Sequence, residues 1–395
     1  MHGLLNGSHT VLLAQLNVVS ELWDKVWPYL MIMLGFSAVI FFHELGHFMA
    51  AKWAGVRVER FAIGFFSEVV GFTIGETRYS LNILPLGGYV KMFGESEIES
   101  GEMDAADMTA EEKAVSFHGK RIGQRAAIVA AGPIANFIFA ILAFATLYST
   151  LGRPRPLAVV GQVMAQSAAA KAGFKTGDRI VDINGETISW FEDLRRIVSI
   201  NPGVRLSFGV RRGDREITLS AAPKLKEIDE GGGITRRFGQ LGVGMDISQV
   251  GYERVPVLKA AWLGVERTYF MTTRILSYLG EIIDGKRGTS ELGGPIRIAQ
   301  LSGQMAQGGM FNLFFFMAAL SVNLGLINLF PIPMLDGGHL AFYAVEAIRG
   351  RPLGPKAQEY SFRFGLILVF LLMIFATWND LVQLKVIEFF KELIT

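Results

Sequence analysis

Four stretches of the chain stay apolar long enough to cross a bilayer as helices: Trp27 to Ala51, Ala126 to Leu151, Phe311 to Phe330 and Phe364 to Leu381. Each approaches the roughly 20 residues that a helical span requires. The second and third are nearly free of charge, whereas the first is interrupted by His43, Glu44 and His47. Between the spans the pattern changes. Val69 to Met92 alternates β-favouring residues with Gly, which predicts a hairpin or small sheet pressed against the membrane. From about Leu157 to Lys224, short runs bounded by Gly, Asn-Gly and Gly-Asp turns flank a helix-like WFEDLRRIVSI, the pattern of a small soluble α/β module. Val257 to Ile283 is apolar but carries Lys259, Glu266, Arg267 and Arg274, so an amphipathic helix on the membrane surface fits it better than a fifth span.

The expected architecture is therefore a mainly α membrane protein of about four transmembrane helices, with a membrane-associated β-hairpin and one inserted α/β domain. Its segments are an N-terminal stretch (1–26), the first span (27–51), the hairpin and an acidic loop (52–125), the second span (126–151), the inserted domain (154–226), a linker with the amphipathic helix (227–310), the third span with its LDGG end (311–338), a basic loop (339–363), and the fourth span with a tail (364–395). The first 26 residues lack the basic start, apolar core and small-residue cleavage site of a removable signal peptide.

Composition sharpens this picture. Of 395 residues 51% are hydrophobic and only 19% charged, against about 25% charged in an ordinary soluble domain, and mean hydropathy is +0.35. The chain has no cysteine, which rules out disulfides, Cys-ligated zinc, iron–sulfur clusters and thiol catalysis. Any metal has to be held by His, Asp or Glu. A net charge of +2 with no dense basic stripe excludes the electrostatic footprint of a nucleic-acid binder. Arg349, Arg351, Lys356 and Arg363 place the loop between spans three and four on the cytoplasmic side. The hairpin then shares that side, and the inserted domain lies outside. Glu95 to Glu112 holds eight acidic residues and no basic one, and reads as a solvated loop.

Within the first span, FFHELGHFMA sets His43 and His47 at i and i+4 on one helix face, with Glu44 beside the first. Two imidazoles so spaced hold a zinc ion, and the neighbouring carboxylate takes a proton from its water. Three ionisable groups in a membrane helix are costly unless neutralised inside the protein, and Zn²⁺ does this directly. A catalytic zinc needs a third protein ligand. His2 and His9 lie in a terminal segment and His118 in a charged loop, which leaves NLFPIPMLDGGHL. Here Pro331 and Pro333 break the helix, and Gly337 and Gly338 permit close backbone approach. Asp336 is the preferred ligand and His339 its rival.

His43-Glu44-Leu45-Gly46-His47, Gly294-Pro295-Ile296, NLFPIPMLDGG from Asn328 to Gly338, and the intervening module with AGFKTGDRIVDINGETI (Ala172 to Ile188) together resemble the site-2 protease family of intramembrane zinc proteases. Within it the likeness is greatest to the bacterial regulator-of-sigma-E protease branch, and the module resembles a PDZ domain. The resemblance implies zinc held by His43, His47 and Asp336, Glu44 as catalytic base, and Asn328 as a substrate-holding residue. It implies single-pass membrane substrates, already shortened by another protease, in a bacterial cytoplasmic (inner) membrane, with peptide ends held at the PDZ-like domain on the outer side. Some members of the branch carry two PDZ domains, whereas Pro154 to Gly239 leaves room for one. Two other classes fit the sequence less well. A metal transporter would place further ionisable residues in spans two and four, which have almost none. A catalytically idle membrane chaperone gives no reason for Glu44.

Overall fold

The computed structural model describes residues 26–27, 30, 33–95, 108–229, 235–289, 293–307, 309–351 and 353–384. The N-terminal stretch up to residue 25, most of the acidic loop and the last eleven residues lie outside these. The chain divides into two compact units, Tyr148–Val257 and the remainder on either side of it.

The larger unit is helical, with one sheet. Helix α1 runs over Met33–Trp53. Strands β1 (Val58–Ile74) and β2 (Thr77–Met92) follow, then the short α2 (Ala110–Val115), closed by a Thr109/Glu112 capping box, and α3 (Ile122–Thr150). After the inserted unit come α6 (Val257–Ile283), α7 (Pro295–Gln307), α8 (Met310–Asn328), α9 (Asp336–Arg349) and α10 (Pro355–Gln383). Helices α1, α3, α8 and α10 are long and apolar enough to cross a membrane. Exposed Phe364, Ile367, Phe370, Leu371 and Ile374 along α10 suit a lipid solvent. Small residues set the helix packing. A Cβ on Gly46 would fall 2.2 Å from the Ala131 carbonyl of α3, and one on Gly264 of α6 would fall 2.6 Å from the Ile141 carbonyl of the same helix. Asp380 of α10 is buried, and its carboxylate accepts from the backbone N–H groups of Gly294 (2.8 Å) and Arg297 (3.0 Å), capping α7 from another helix.

The hairpin begins at Val58, eleven residues before the expected start, because the strands fold back and pair twice. Phe61 faces Val90 on one side and Tyr79 on the other, and Tyr79 also faces Phe72. The resulting order is 88–92, 58–63, 78–82, 68–74, with the first and last at its edges. Phe66, Val69, Val70, Phe72, Ile74 and Ile83 are exposed on it.

The third span breaks where its prolines predict, so the segment 311–338 is not one continuous helix: α8 stops at Asn328 and Asp336 opens α9. Pro331 and Pro333 lack the N–H groups a continuing helix needs, and Met334 adopts a left-handed backbone (φ 84°).

The inserted unit contains β3 (Arg153–Pro156), β4 (Val160–Val163), α4 (Ala168–Ala172), β5 (Arg179–Ile183), β6 (Glu186–Thr187), α5 (Phe191–Ile200), β7 (Leu206–Arg212), β8 (Arg215–Ala221), β9 (Lys224–Asp229), β10 (Thr235–Gln240), β11 (Val243–Met245) and β12 (Val250–Glu253). One sheet has the order β6-β5-β7-β8. Its core gathers Val160, Phe174, Ile180, Leu194, Val198 and Phe208. The unit is longer than the expected 154–226. Residues assigned from sequence to a linker return to it, because β11 pairs with β4 and β12 with β3, which gives the first two strands their hydrogen-bond partners. Asp178 is fully buried. Its carboxylate accepts from Arg212 Nε (2.7 Å) and Nη2 (2.8 Å) and from the Lys175 N–H (2.8 Å).

Candidate metal centre

The helix α1 carries His43 and His47 one turn apart, both buried. Their Nε2 atoms lie 3.2 Å from each other. The backbone break after α8 turns Asp336 toward them: its Oδ2 is 3.2 Å from His43 Nε2 and its Oδ1 3.6 Å from His47 Nε2. Glycines make that turn fit. A Cβ on Gly337 would lie 2.2 Å from the Phe330 carbonyl, and one on Gly338 2.4 Å from that of Ile332.

Three groups that can each give one ligand atom thus lie within 4.8 Å of one another. Two ligands at the tetrahedral angle with bonds of about 2.0–2.1 Å sit about 3.3–3.4 Å apart, close to the observed spacing of the imidazoles. Asp336 Oδ2 is buried and has no hydrogen-bond partner, which a cation would supply. An all-N/O donor set of two imidazoles and a carboxylate suits Zn²⁺. Of the two sequence candidates for third member, the structure brings in Asp336. His339 instead packs against Phe342 and Phe362.

Glu44 sits on the same helix and faces the backbone N–H of Val90. A Cβ on Gly88 would come within 3.3 Å of Glu44 Cγ, so the 88–92 edge of the small sheet runs alongside this carboxylate. The Asn328 amide, at the end of α8, has its Nδ2 3.5 Å from His43 Nε2. All five residues singled out from sequence are therefore neighbours.

Helix α3 adds groups that sequence reading did not single out. The Ile128 carbonyl oxygen is 2.9 Å from His47 Nδ1, and the Asn136 side-chain amide 3.0 Å from His43 Nδ1. Gly132 lies between them, where a Cβ would meet His47 Nε2 at 2.2 Å. A signal for Asn136 was present: it is the one polar side chain between Arg125 and Thr146.

The pattern of peptidase family M50 matches residues 31–372. The chain belongs to this family. Family M50 comprises zinc metallopeptidases of the site-2 protease type, so the protein is such an enzyme, its metal is Zn²⁺, and with four apolar helices among the described residues it is an integral membrane protein. The chain is 43% identical over 362 residues to “Putative zinc metalloprotease Atu1380” of Agrobacterium fabrum, covering 90% of this chain and 95% of the relative. It is 32% identical to the zinc metalloprotease RasP of Geobacillus kaustophilus, over 88% of this chain and 96% of that one. A solved PDZ domain of an SdrC-like protein from Listeria monocytogenes is similar over 22% of this chain and 84% of its own, with 20% identity and a TM-score of 0.18.

Proposed function

We propose that this M50 peptidase cleaves peptide bonds within the transmembrane segments of single-pass membrane proteins, with His43, His47 and Asp336 holding the zinc and Glu44 as the catalytic base. The observation that carries the reading is the meeting of two buried imidazoles on an apolar helix with an otherwise unpartnered carboxylate oxygen at the start of α9. When bound there, zinc supplies Lewis acidity and lowers the pKa of a water to about 7. Glu44, adjacent to His43 in sequence, takes the proton of the attacking water and returns it to the leaving amine.

A substrate helix already satisfies its own backbone hydrogen bonds, so it has to unwind before attack. The freed backbone then needs partners. The 88–92 sheet edge beside Glu44 offers them by strand addition, and the Asn328 amide both donates and accepts. In the inserted, PDZ-like unit, a groove of about 640 Å³ lies between α5 and residues 238–243, lined by Leu194, Val198, Phe238, Leu241 and Val243. It holds the end of a peptide already shortened by another protease. Arg349, Arg351, Lys356 and Arg363 support a cytoplasmic side for the zinc-side loops, with the PDZ-like unit on the outer face of a bacterial inner membrane.

The test is cleavage of a tagged single-pass substrate by the purified protein in liposomes, with zinc measured on every sample. Wild type is expected to cut within the span. Glu44→Gln should retain zinc and be inactive, and Asp336→Asn should lose zinc. Asn328→Ala should keep zinc and cut slowly. If Glu44→Gln cuts as fast as wild type, the base assignment fails and a peptide-holding role takes its place.

A further inference from the structure

Three positions on α3, one helical turn apart, bear on the histidines: Ile128, Gly132 and Asn136. Both rings turn Nε2 toward Asp336 and Nδ1 toward α3. A neutral imidazole that offers its Nε2 lone pair to a metal carries its hydrogen on Nδ1, and the partner of that N–H fixes the tautomer and the ring plane. For His47 the partner is the Ile128 carbonyl, which only accepts. For His43 it is the fully buried Asn136 amide, which has nearly the same outline with oxygen and nitrogen exchanged. With the amide nitrogen against the ring, His43 Nδ1 has to accept, its hydrogen moves to Nε2, and that hydrogen blocks the lone pair facing Asp336. In that orientation Asn136 Oδ1 is also buried without a hydrogen-bond partner.

We infer that Asn136 is a positioning residue of the metal centre, its side-chain oxygen accepting the Nδ1–H of His43 and so holding Nε2 free for zinc. Ser321 Oγ donates to the Asn136 backbone carbonyl at 2.9 Å, which ties this turn of α3 to α8. An amide serves here where a carboxylate would add a further negative charge, beside those of Asp336 and Glu44, inside the membrane. The inference rests on His43 and His47 being zinc ligands.

The experiment measures zinc affinity of the full-length protein in detergent by competition with a chelator, alongside thermal unfolding of the zinc-stripped forms. Asn136→Leu, which keeps the volume and removes the acceptor, is expected to bind zinc about 10–100-fold more weakly. Asn136→Asp, which can only accept, should bind zinc at least as tightly as wild type. His43→Ala should lose the site. Wild-type affinity in Asn136→Leu overturns the inference. So does weakening by tenfold or more in Asn136→Asp when its stripped form unfolds like wild type, and this arm decides the matter even if the Leu variant does not fold. Unchanged zinc binding in His43→Ala would instead sink the ligand assignment itself.

Discussion

A methyl group at residue 132 has nowhere to go, since it would overlap the His47 ring nitrogen that faces Asp336. Gly132→Ala is therefore expected to displace that ring and lower zinc content well below one ion per chain, as measured by atomic emission on the purified protein. Gly123→Ala on the same helix, where a Cβ meets nothing within 4 Å, should keep the full complement. His43, Glu44 and His47 were legible because their spacing lies within one helix, and helix geometry turns spacing into a shared face. Asp336 was legible too: the prolines and glycines announced a turn and made it the preferred third member over His339, and the fold sets it beside the histidines. Gly132 matters through a partner on a different helix, which no local pattern reveals.

Among elements, the four apolar helices followed from hydropathy, but their ends and partners did not. The return of β11 and β12 to the inserted unit depends on pairings far apart in sequence. The start of α7 is another such case. Pro295 opens it without an N–H, and Asp380 accepts from the two amides around it. Replacing Asp380 by Ala leaves those donors unmet, at a cost of about 0.5–2 kcal/mol if it acts as an ordinary helix cap. Hydrogen exchange should then quicken at residues 294–298 and stay unchanged in α3. Equal exchange in the two proteins would mean that α7 is held by its apolar face alone.

For the whole molecule, every residue of the metal centre comes from the larger unit, and the inserted unit has a core of its own. Acid should act on the two differently. Burial pushes the Asp178 carboxyl up, but the Arg212 guanidinium and the Lys175 N–H outweigh it and hold the group below the usual carboxylate range. A carboxyl depressed in the folded state stabilises it fully above its unfolded pKa of about 3.9, and that contribution disappears as pH falls through the lower native value. Asp178→Asn should thus loosen residues 148–257 at neutral pH, seen as faster hydrogen exchange, and flatten the unit's loss of stability below about pH 4. Zinc content at neutral pH should not change; a fall would show that the two units depend on each other.

The metal centre is also divided in time. His43 and Asn328, neighbours across the site, are 285 residues apart in the chain, and Asp336 is made later still. A ribosome adding about 5–20 residues per second finishes the histidine helix well before the carboxylate exists. Throughout that interval the nascent chain sits among other newly inserted membrane segments with its histidines in place and one ligand missing. The three groups of the candidate site therefore first meet only after the third apolar helix has been made and Asp336 has followed it.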